Sequence, residues 1–275
     1  MLKSFAGGAL FGGGWGEGPP TVLALHGWRR SHLDFAPVFD DQDGADRVGA
    51  LAPDLWGFGA TPPPPEPWGS EEYARHLLPL FEEEGVLADR IVLVGHSFGG
   101  RVAVRLWGLV PDRIERIVLT GVPLLDRQGR RARPAAPFRL ARRLHRMGLV
   151  GDQRMEAMRD RYGSPDYRAA TGVMRGVFVG LLAEQYTSDL ALLGCPVDLV
   201  WGEKDTEVPL EVAVRAQALV GDVTLATIPG VGHLVPTEAP RELLRAVVTR
   251  GGTATDHRSE VGGDPTGGDP GAGAP

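Results

Sequence analysis

Apolar residues run along the chain in two rhythms. Short unbroken runs rich in β-branched residues occupy 21–25, 91–94, 114–119, 197–201 and 223–228, and a weaker one at 47–52 leads into Pro53 and Asp54. A run that is apolar at consecutive positions is buried on both faces, as a strand inside a parallel sheet must be. Between the runs, apolar residues recur at helical spacing over 70–84, 98–110, 210–220 and 237–250. Ser70 before Glu71 and Glu72, and Thr237 before Glu238, supply the capping oxygen and first-turn acid that open a helix. Strands alternating with helices of this length predict an α/β protein with a mostly parallel central sheet flanked by helices.

The alternation fails between 122 and 190. No strand pattern occurs there, and helical stretches are separated by Pro134, Pro137, Gly148, Gly163 and Pro165, which predicts a helical insertion of roughly 70 residues. Phe138, Leu140, Leu144, Met147, Leu149, Met155 and Met158 suit helices that pack on the core and line an apolar pocket, and Phe178 lies in a stretch suited to the same role. Beyond Arg250 the chain is rich in Gly and Pro with almost no apolar side chains, so a disordered tail is expected. The expected organisation is a core of 1–121 and 191–250, a helical insertion over 122–190 and a tail over 251–275.

Composition narrows the partners. The 275 residues are 43% hydrophobic and 23% charged, ordinary for a globular protein and unlike a coiled coil or a collagen. A net charge of -6 argues against nucleic-acid binding. The single Cys195 cannot form an internal disulfide, and no Cys/His run has metal-ligand spacing. Lys3 is the only basic residue among the first 20, and Gly7 and Gly8 break the apolar stretch there, so no signal peptide is expected. No stretch approaches the roughly 20 apolar residues of a membrane span. These features predict a cytoplasmic protein with no membrane partner.

The sharpest chemical signal is Gly95-His96-Ser97-Phe98-Gly99, a G-x-S-x-G pentapeptide between an apolar run and a helical pattern. A serine on a tight strand-to-helix turn needs small neighbours two positions before and after it, here Gly95 and Gly99. The following helix aims N-terminal N–H groups, including that of Phe98, at an oxyanion forming beside Ser97. A serine hydroxyl also needs a base and an acid to orient that base. His233, in the glycine-rich stretch PGVGH after the last strand, is the candidate base, whereas His76, His145 and His257 sit in polar surroundings that suit solvated surface. Asp205, in WGEKD after the fourth strong run at 197–201, is the candidate acid, with Glu203 and Glu207 as neighbours of the same charge. In Leu25-His26-Gly27-Trp28, Gly27 permits a sharp turn that lets the Trp28 N–H serve as a second oxyanion donor, and His26 is expected to brace the loop.

Taken together, HGW at 26–28, DLWGFGAT at 54–61, GHSFGG at 95–100, WGEKD at 201–205 and GVGH at 230–233 resemble the α/β-hydrolase fold family over about 21–250. The resemblance implies Ser97 as nucleophile, Asp205 as acid, His233 as base, Trp28 and Phe98 amides as oxyanion hole, and the 122–190 insertion as a helical cap. Phe138 and Phe178 in that cap, with Trp28, are the candidate substrate-binding aromatics. It implies a serine hydrolase acting on an ester or related acyl bond of a small to medium apolar molecule, without metal or organic cofactor. Thioesters on carrier proteins or coenzyme A, lactones, C–C bonds and haloperoxidase chemistry use the same triad, and a catalytically silent binding protein would keep the fold. Haloalkane dehalogenases and epoxide hydrolases of the family carry aspartate where this chain has Ser97.

The insertion is basic in an acidic protein. It holds 13 Arg against seven acids, with eight of the arginines between 127 and 146 and no acid among them. Such a cap attracts an anionic substrate or an acidic carrier protein. The chain also has 27 Arg and two Lys throughout, so the same arginines fit a solvated basic face.

Overall fold

The computed structural model describes residues 2–40, 42, 47–125, 136–162 and 164–250. Two strands that the hydrophobic pattern does not reveal open the chain, β1 (Leu2–Phe5) and β2 (Leu10–Trp15). The apolar runs then form β3 (Val22–Leu25), β4 (Ala50–Pro53), β5 (Ile91–His96), β6 (Ile114–Thr120), β7 (Val197–Gly202) and β8 (Val223–Ile228). All eight make one sheet in the order β1-β2-β4-β3-β5-β6-β7-β8. The pairs β1/β2 and β2/β4 are antiparallel and every other pair is parallel. Glycines at 12–14 hide β2 from a propensity argument, but Gly12 is required there, because a Cβ would stand 2.3 Å from the Ala52 carbonyl oxygen.

Helices α1 (Ala36–Phe39), α2 (Ser70–His76), α3 (Pro79–Glu82) and α4 (Phe98–Leu109) precede β6. Between β6 and β7 come α5 (Ala136–Arg146), α6 (Asp152–Tyr162), α7 (Pro165–Ala169), α8 (Gly172–Leu181) and α9 (Thr187–Leu192). Helix α10 (Leu210–Gln217) joins β7 to β8, and α11 (Val235–Glu238) and α12 (Pro240–Val248) end the described chain. Two predicted helices are each broken by a proline that starts a new turn: 70–84 at Pro79 and 237–250 at Pro240. Pro137 lies in the first turn of α5 rather than between helices, a position where proline costs no hydrogen bond.

Strand burial follows the period of two. Leu23, Leu25, Leu93, Ile117, Leu119 and Leu199 belong to one core, with Tyr73 of α2, Val102 and Leu106 of α4 and Val212 of α10. Val22, Ala24, Val94, Val118 and Val200 belong to the other, with Phe39 of α1, Val235 of α11 and Leu243 and Val247 of α12. Both faces are therefore covered, which is why the runs are continuous rather than alternating. No helix among the described residues is long and apolar enough to cross a membrane.

The stretch between β6 and β7 departs from expectation. Met155 is buried and Val177 and Leu181 join the core, but Leu140, Met147 and Leu149 are 58%, 55% and 71% exposed. Their pattern is amphipathic, yet the apolar side of α5 finds no core to cover. Ser70 does not cap α2 as its position suggests. Gly69 precedes the helix, and the Ser70 N–H and hydroxyl donate to the Glu184 carboxylate at 2.8 and 2.6 Å. Tyr186, buried beside them, donates to Ser70 Oγ at 2.9 Å. Arg101 of α4 donates to the Leu181 carbonyl at 2.6 Å, and Arg105 of α4 pairs with Asp189. The tail at 251–275, together with Arg127, Arg130, Arg131 and Arg133, lies outside the described residues.

One buried ion pair ties sheet to terminal helix. Arg116 of β6 donates to Asp198 of β7 at 2.5 Å and to the α12 carbonyls of Ala246 and Val247 at 2.7 and 2.5 Å. Thr224 of β8 donates to the other Asp198 oxygen at 2.5 Å. The guanidinium thus neutralises a buried carboxylate and satisfies carbonyls at the negative end of a helix. Arg116→Leu is expected to lower stability by about 3–5 kcal/mol, because it strands a buried charge. Urea denaturation measures this, and adding Asp198→Leu should recover part of the loss.

Candidate active site

Five parallel strands end at one edge of the sheet, and each delivers one piece of a single cluster. At the end of β5, Ser97 occupies φ 49°, ψ -113°, a left-handed backbone that costs a non-glycine residue about 1–2 kcal/mol. The turn is held open by close backbone approaches. A Cβ on Gly95 would stand 2.4 Å from Gly100 Cα, and one on Gly99 would stand 2.1 Å from the Leu25 carbonyl oxygen. Both glycines are thus needed where the pentapeptide pattern put them. The Ser97 N–H donates to the Thr120 carbonyl at the end of β6 (2.9 Å). Phe98 opens α4, so its N–H stands outside the intrahelical ladder.

His233 follows β8 and Asp205 follows β7. The His233 Nδ1–H donates to Asp205 Oδ2 at 2.8 Å. Asp205 is buried, and its other oxygen accepts the N–H groups of Glu207 and Val208 at 2.9 and 2.8 Å. A carboxylate so occupied holds the ring in one orientation and leaves Nε2 of the neutral ring as the lone-pair nitrogen. Of the neighbouring acids, Glu203 accepts the Gly230 N–H at 3.0 Å, and Glu207 stands 3.6 Å from His233 Nε2 with its side chain 69% exposed. Asp205 alone engages Nδ1. The ring lies against Gly121, at φ 59°, where a Cβ would come within 2.9 Å of its Cε1 and Nδ1.

The third piece is the loop after β3. His26 is fully buried and takes part in two hydrogen bonds, donating from Nδ1 to the Gly27 carbonyl (2.8 Å) and accepting the Leu55 N–H at Nε2 (2.9 Å). The Gly27 carbonyl also accepts the Arg30 N–H at 3.2 Å. In a trans peptide the carbonyl and the next N–H point oppositely, so pinning the Gly27 carbonyl on the His26 side turns the Trp28 N–H to the other. A Cβ on Gly27 would stand 3.4 Å from Ser97 Cβ, which puts this loop beside the serine.

Ring packing extends the cluster. The Trp28 ring lies 5.7 Å from Phe98, 4.9 Å from Phe58 and 5.2 Å from Phe178 of α8, centroid to centroid. Its indole Nε1–H is buried without a hydrogen-bond partner. Trp28 and Phe58 also line an open cavity of about 320 Å³ with Ala170, Thr171 and Met174, and Ser97, Asp205 and His233 are not among its lining residues. Phe178 is thus brought to Trp28. Phe138, on α5, does not line that cavity.

With this geometry in view, the sequence matches the model of the alpha/beta hydrolase family over residues 22–246, and the chain belongs to that family. The uncharacterized hydrolase YugF of Bacillus subtilis (strain 168) is 25% identical over 256 residues, covering 81% of this chain and 86% of the relative. The 2-hydroxy-6-oxo-2,4-heptadienoate hydrolase of Pseudomonas putida F1 is 28% identical over 245 residues, covering 83% and 84%. Among solved structures, a thermophilic esterase from Thermogutta terrifontis superposes with a TM-score of 0.63 at 22% identity, covering 90% of this chain and 96% of that one. The protein is a hydrolase.

Three residues that support His233 escape a reading of the sequence. His96, the variable residue of the pentapeptide, donates from Nε2 to the His233 carbonyl at 3.0 Å. Glu238 accepts the N–H groups on either side of His233, from Gly232 at 2.7 Å and Leu234 at 3.1 Å. Gly121 makes room for the ring. Their only sequence signals are a glutamate in the turn after a glycine-flanked histidine and a glycine directly after a strand.

Burial, aided by the neighbouring His233, pushes the His96 imidazole from 6.5 down to about 4, and burial also lowers His26. Both rings favour folding when neutral. The contribution of His96 is complete above pH 6.5 and is lost as pH falls through its folded value near 4. For His96 this amounts to roughly 3 kcal/mol at full protonation. In His96→Gln the stability lost between pH 7 and pH 4.5, read from urea unfolding, is expected to shrink by about 2 kcal/mol. An unchanged loss would show that other groups govern the acid limb.

Proposed function

We propose that the protein is a serine hydrolase that cleaves an ester or related acyl bond of a small to medium apolar molecule. One observation carries the reading: a serine held at φ 49° shares a sheet edge with a histidine whose Nδ1 is 2.8 Å from a buried carboxylate. Ser97 attacks the substrate carbonyl while His233 Nε2 takes the hydroxyl proton. Asp205 stabilises the imidazolium that results, without itself taking the proton. The N–H groups of Phe98 and Trp28 receive the oxyanion, preorganised respectively by a helix start and by the pinned Gly27 carbonyl. His233 then protonates the leaving group, and water activated by the same nitrogen releases the acyl chain from Ser97. Glu207 attracts the ring only while it is protonated, because Nε2 of the neutral ring carries a lone pair.

The stretch over 122–190 is proposed as the cap of this site. Phe178, with Trp28 and Phe58, supplies an apolar wall. That wall suits an apolar acyl or alcohol group. The Pseudomonas relative favours a second reading on the same triad, hydrolysis of a 2-hydroxy-6-oxo-dienoate.

A fluorophosphonate probe should label the wild type and leave Ser97→Ala unlabelled. Asp205→Asn should lower kcat on a reactive ester by about 10⁴-fold, since it removes the partner that sets the ring tautomer. An unlabelled wild type, or Ser97→Ala with undiminished ester hydrolysis, would defeat the assignment. A panel of esters, thioesters, lactones and the dienoate separates the two substrate readings.

A further inference from the structure

Helix α5 has two sides and uses neither on the core. At about 100° per residue, Leu140, Ala141, Leu144 and Met147 fall within one arc of about 120° and Arg139, Arg142, Arg143 and Arg146 within another of about 100°. Leu140 and Met147, with Leu149 in the turn that follows, are more than half exposed. All four arginines are exposed, and none is ion-paired among the described residues. Helix α6 is the principal neighbour of α5. His145, between the two arcs, donates from Nδ1 to the Val150 carbonyl at 2.8 Å, and the Leu149 N–H donates to the Leu144 carbonyl at 2.9 Å, so the turn after the helix folds back on its last residues.

We propose that α5 and the following turn seat the protein on an anionic lipid surface. Apolar side chains would enter the acyl boundary while the parallel row of arginines stays level with the phosphates. Three features favour this occupant. The apolar residues line neither the cavity beside Trp28 nor the one beside Arg101, so they do not belong to either of these pockets. The exposed side chains amount to a few hundred Å² at most, against the roughly 800 Å² each partner contributes to a stable protein interface. A fluid surface has no such threshold, because apolar insertion and attraction of each basic side chain add one by one. Charge also sets the orientation: α5 and the turn after it carry no acid from 136 to 151, while the whole chain is at -6. An anionic surface thus draws in this end and repels the remainder. Surface seating needs no membrane-spanning helix, so it is compatible with the lack of one among the described residues.

The test is co-sedimentation of the full-length protein with sucrose-loaded vesicles of phosphatidylcholine alone and of phosphatidylcholine with one quarter phosphatidylglycerol, at physiological salt. Partitioning should be at least about ten-fold greater on the anionic vesicles, since each basic side chain near the surface contributes about five-fold. Arg142→Glu with Arg143→Glu should abolish it. Leu140→Gln with Met147→Gln, which leaves the charge unchanged, should lower it by about ten-fold or more while the circular dichroism spectrum is unchanged, because apolar insertion is lost with folding intact. Equal binding by this second pair and the wild type overturns the proposal, leaving only diffuse charge attraction. Absence of vesicle binding also overturns it. In that case, retention on an immobilised acidic acyl carrier protein would make the basic face a protein site, and concentration-dependent dimers would make it a contact between copies. None of these outcomes bears on Ser97 labelling, so this inference and the hydrolytic one fail separately.

Discussion

Everything at the site depends on one strained residue being held where its backbone does not want to be. Ser97 sits in left-handed geometry because the chain before and after it is pressed against β3 and the start of α4 too closely for side chains at 95 and 99. The cost of a kcal/mol or two falls on the turn and is offset by the two cores that clamp β5 between its neighbours. Once the turn exists, helix and serine share an origin: the residue after the serine begins α4. Position of hydroxyl and position of amide are consequently one fact rather than two.

The histidine is held by a different strategy. Its loop is rich in glycine and would wander if tethered at one point, so the structure grips it at several. Asp205 fixes one face of the ring, His96 holds the backbone carbonyl, and Glu238 binds the amides on both flanks. Backbone bonds from Glu203 to Ile228 and from Lys204 to Val231 further join the Asp205 loop to the His233 loop. The two loops form one unit across β7 and β8, and the spacing between Asp205 and His233 does not depend on either loop alone.

Much of this was legible in the sequence, for local reasons. Strands β3, β5, β6 and β7 lie inside the sheet and β8 at its parallel edge, and the polar residues that follow them stand near glycines, so Ser97, Asp205, His233 and the turn at Gly27 stand out. The supports do not, because His96, Glu238 and Gly121 act through contacts with segments far away in sequence. Strand β2 was hidden because its glycines contradict strand propensity while satisfying a close approach to β4. Pro79 and Pro240 each split a helix that periodicity alone ran together. On α5 the pattern was legible and its meaning was not. Periodicity tells that one side of a helix is apolar but not what that side faces, and Leu140, Met147 and Leu149 face away from the protein.

The contacts of Glu184, Tyr186 and Asp189 have a mechanical consequence. A carboxylate that caps the start of α2 from the far side of the sequence, beside a buried tyrosine and two arginines of α4, makes residues 181–192 rigid with the core. A rearrangement of the stretch between β6 and β7 that spares these bonds has its C-terminal pivot before Leu181. Helix α8, which carries Phe178 to Trp28, lies directly before that pivot, so the aromatic wall is borne by the part of the stretch nearest its fixed end.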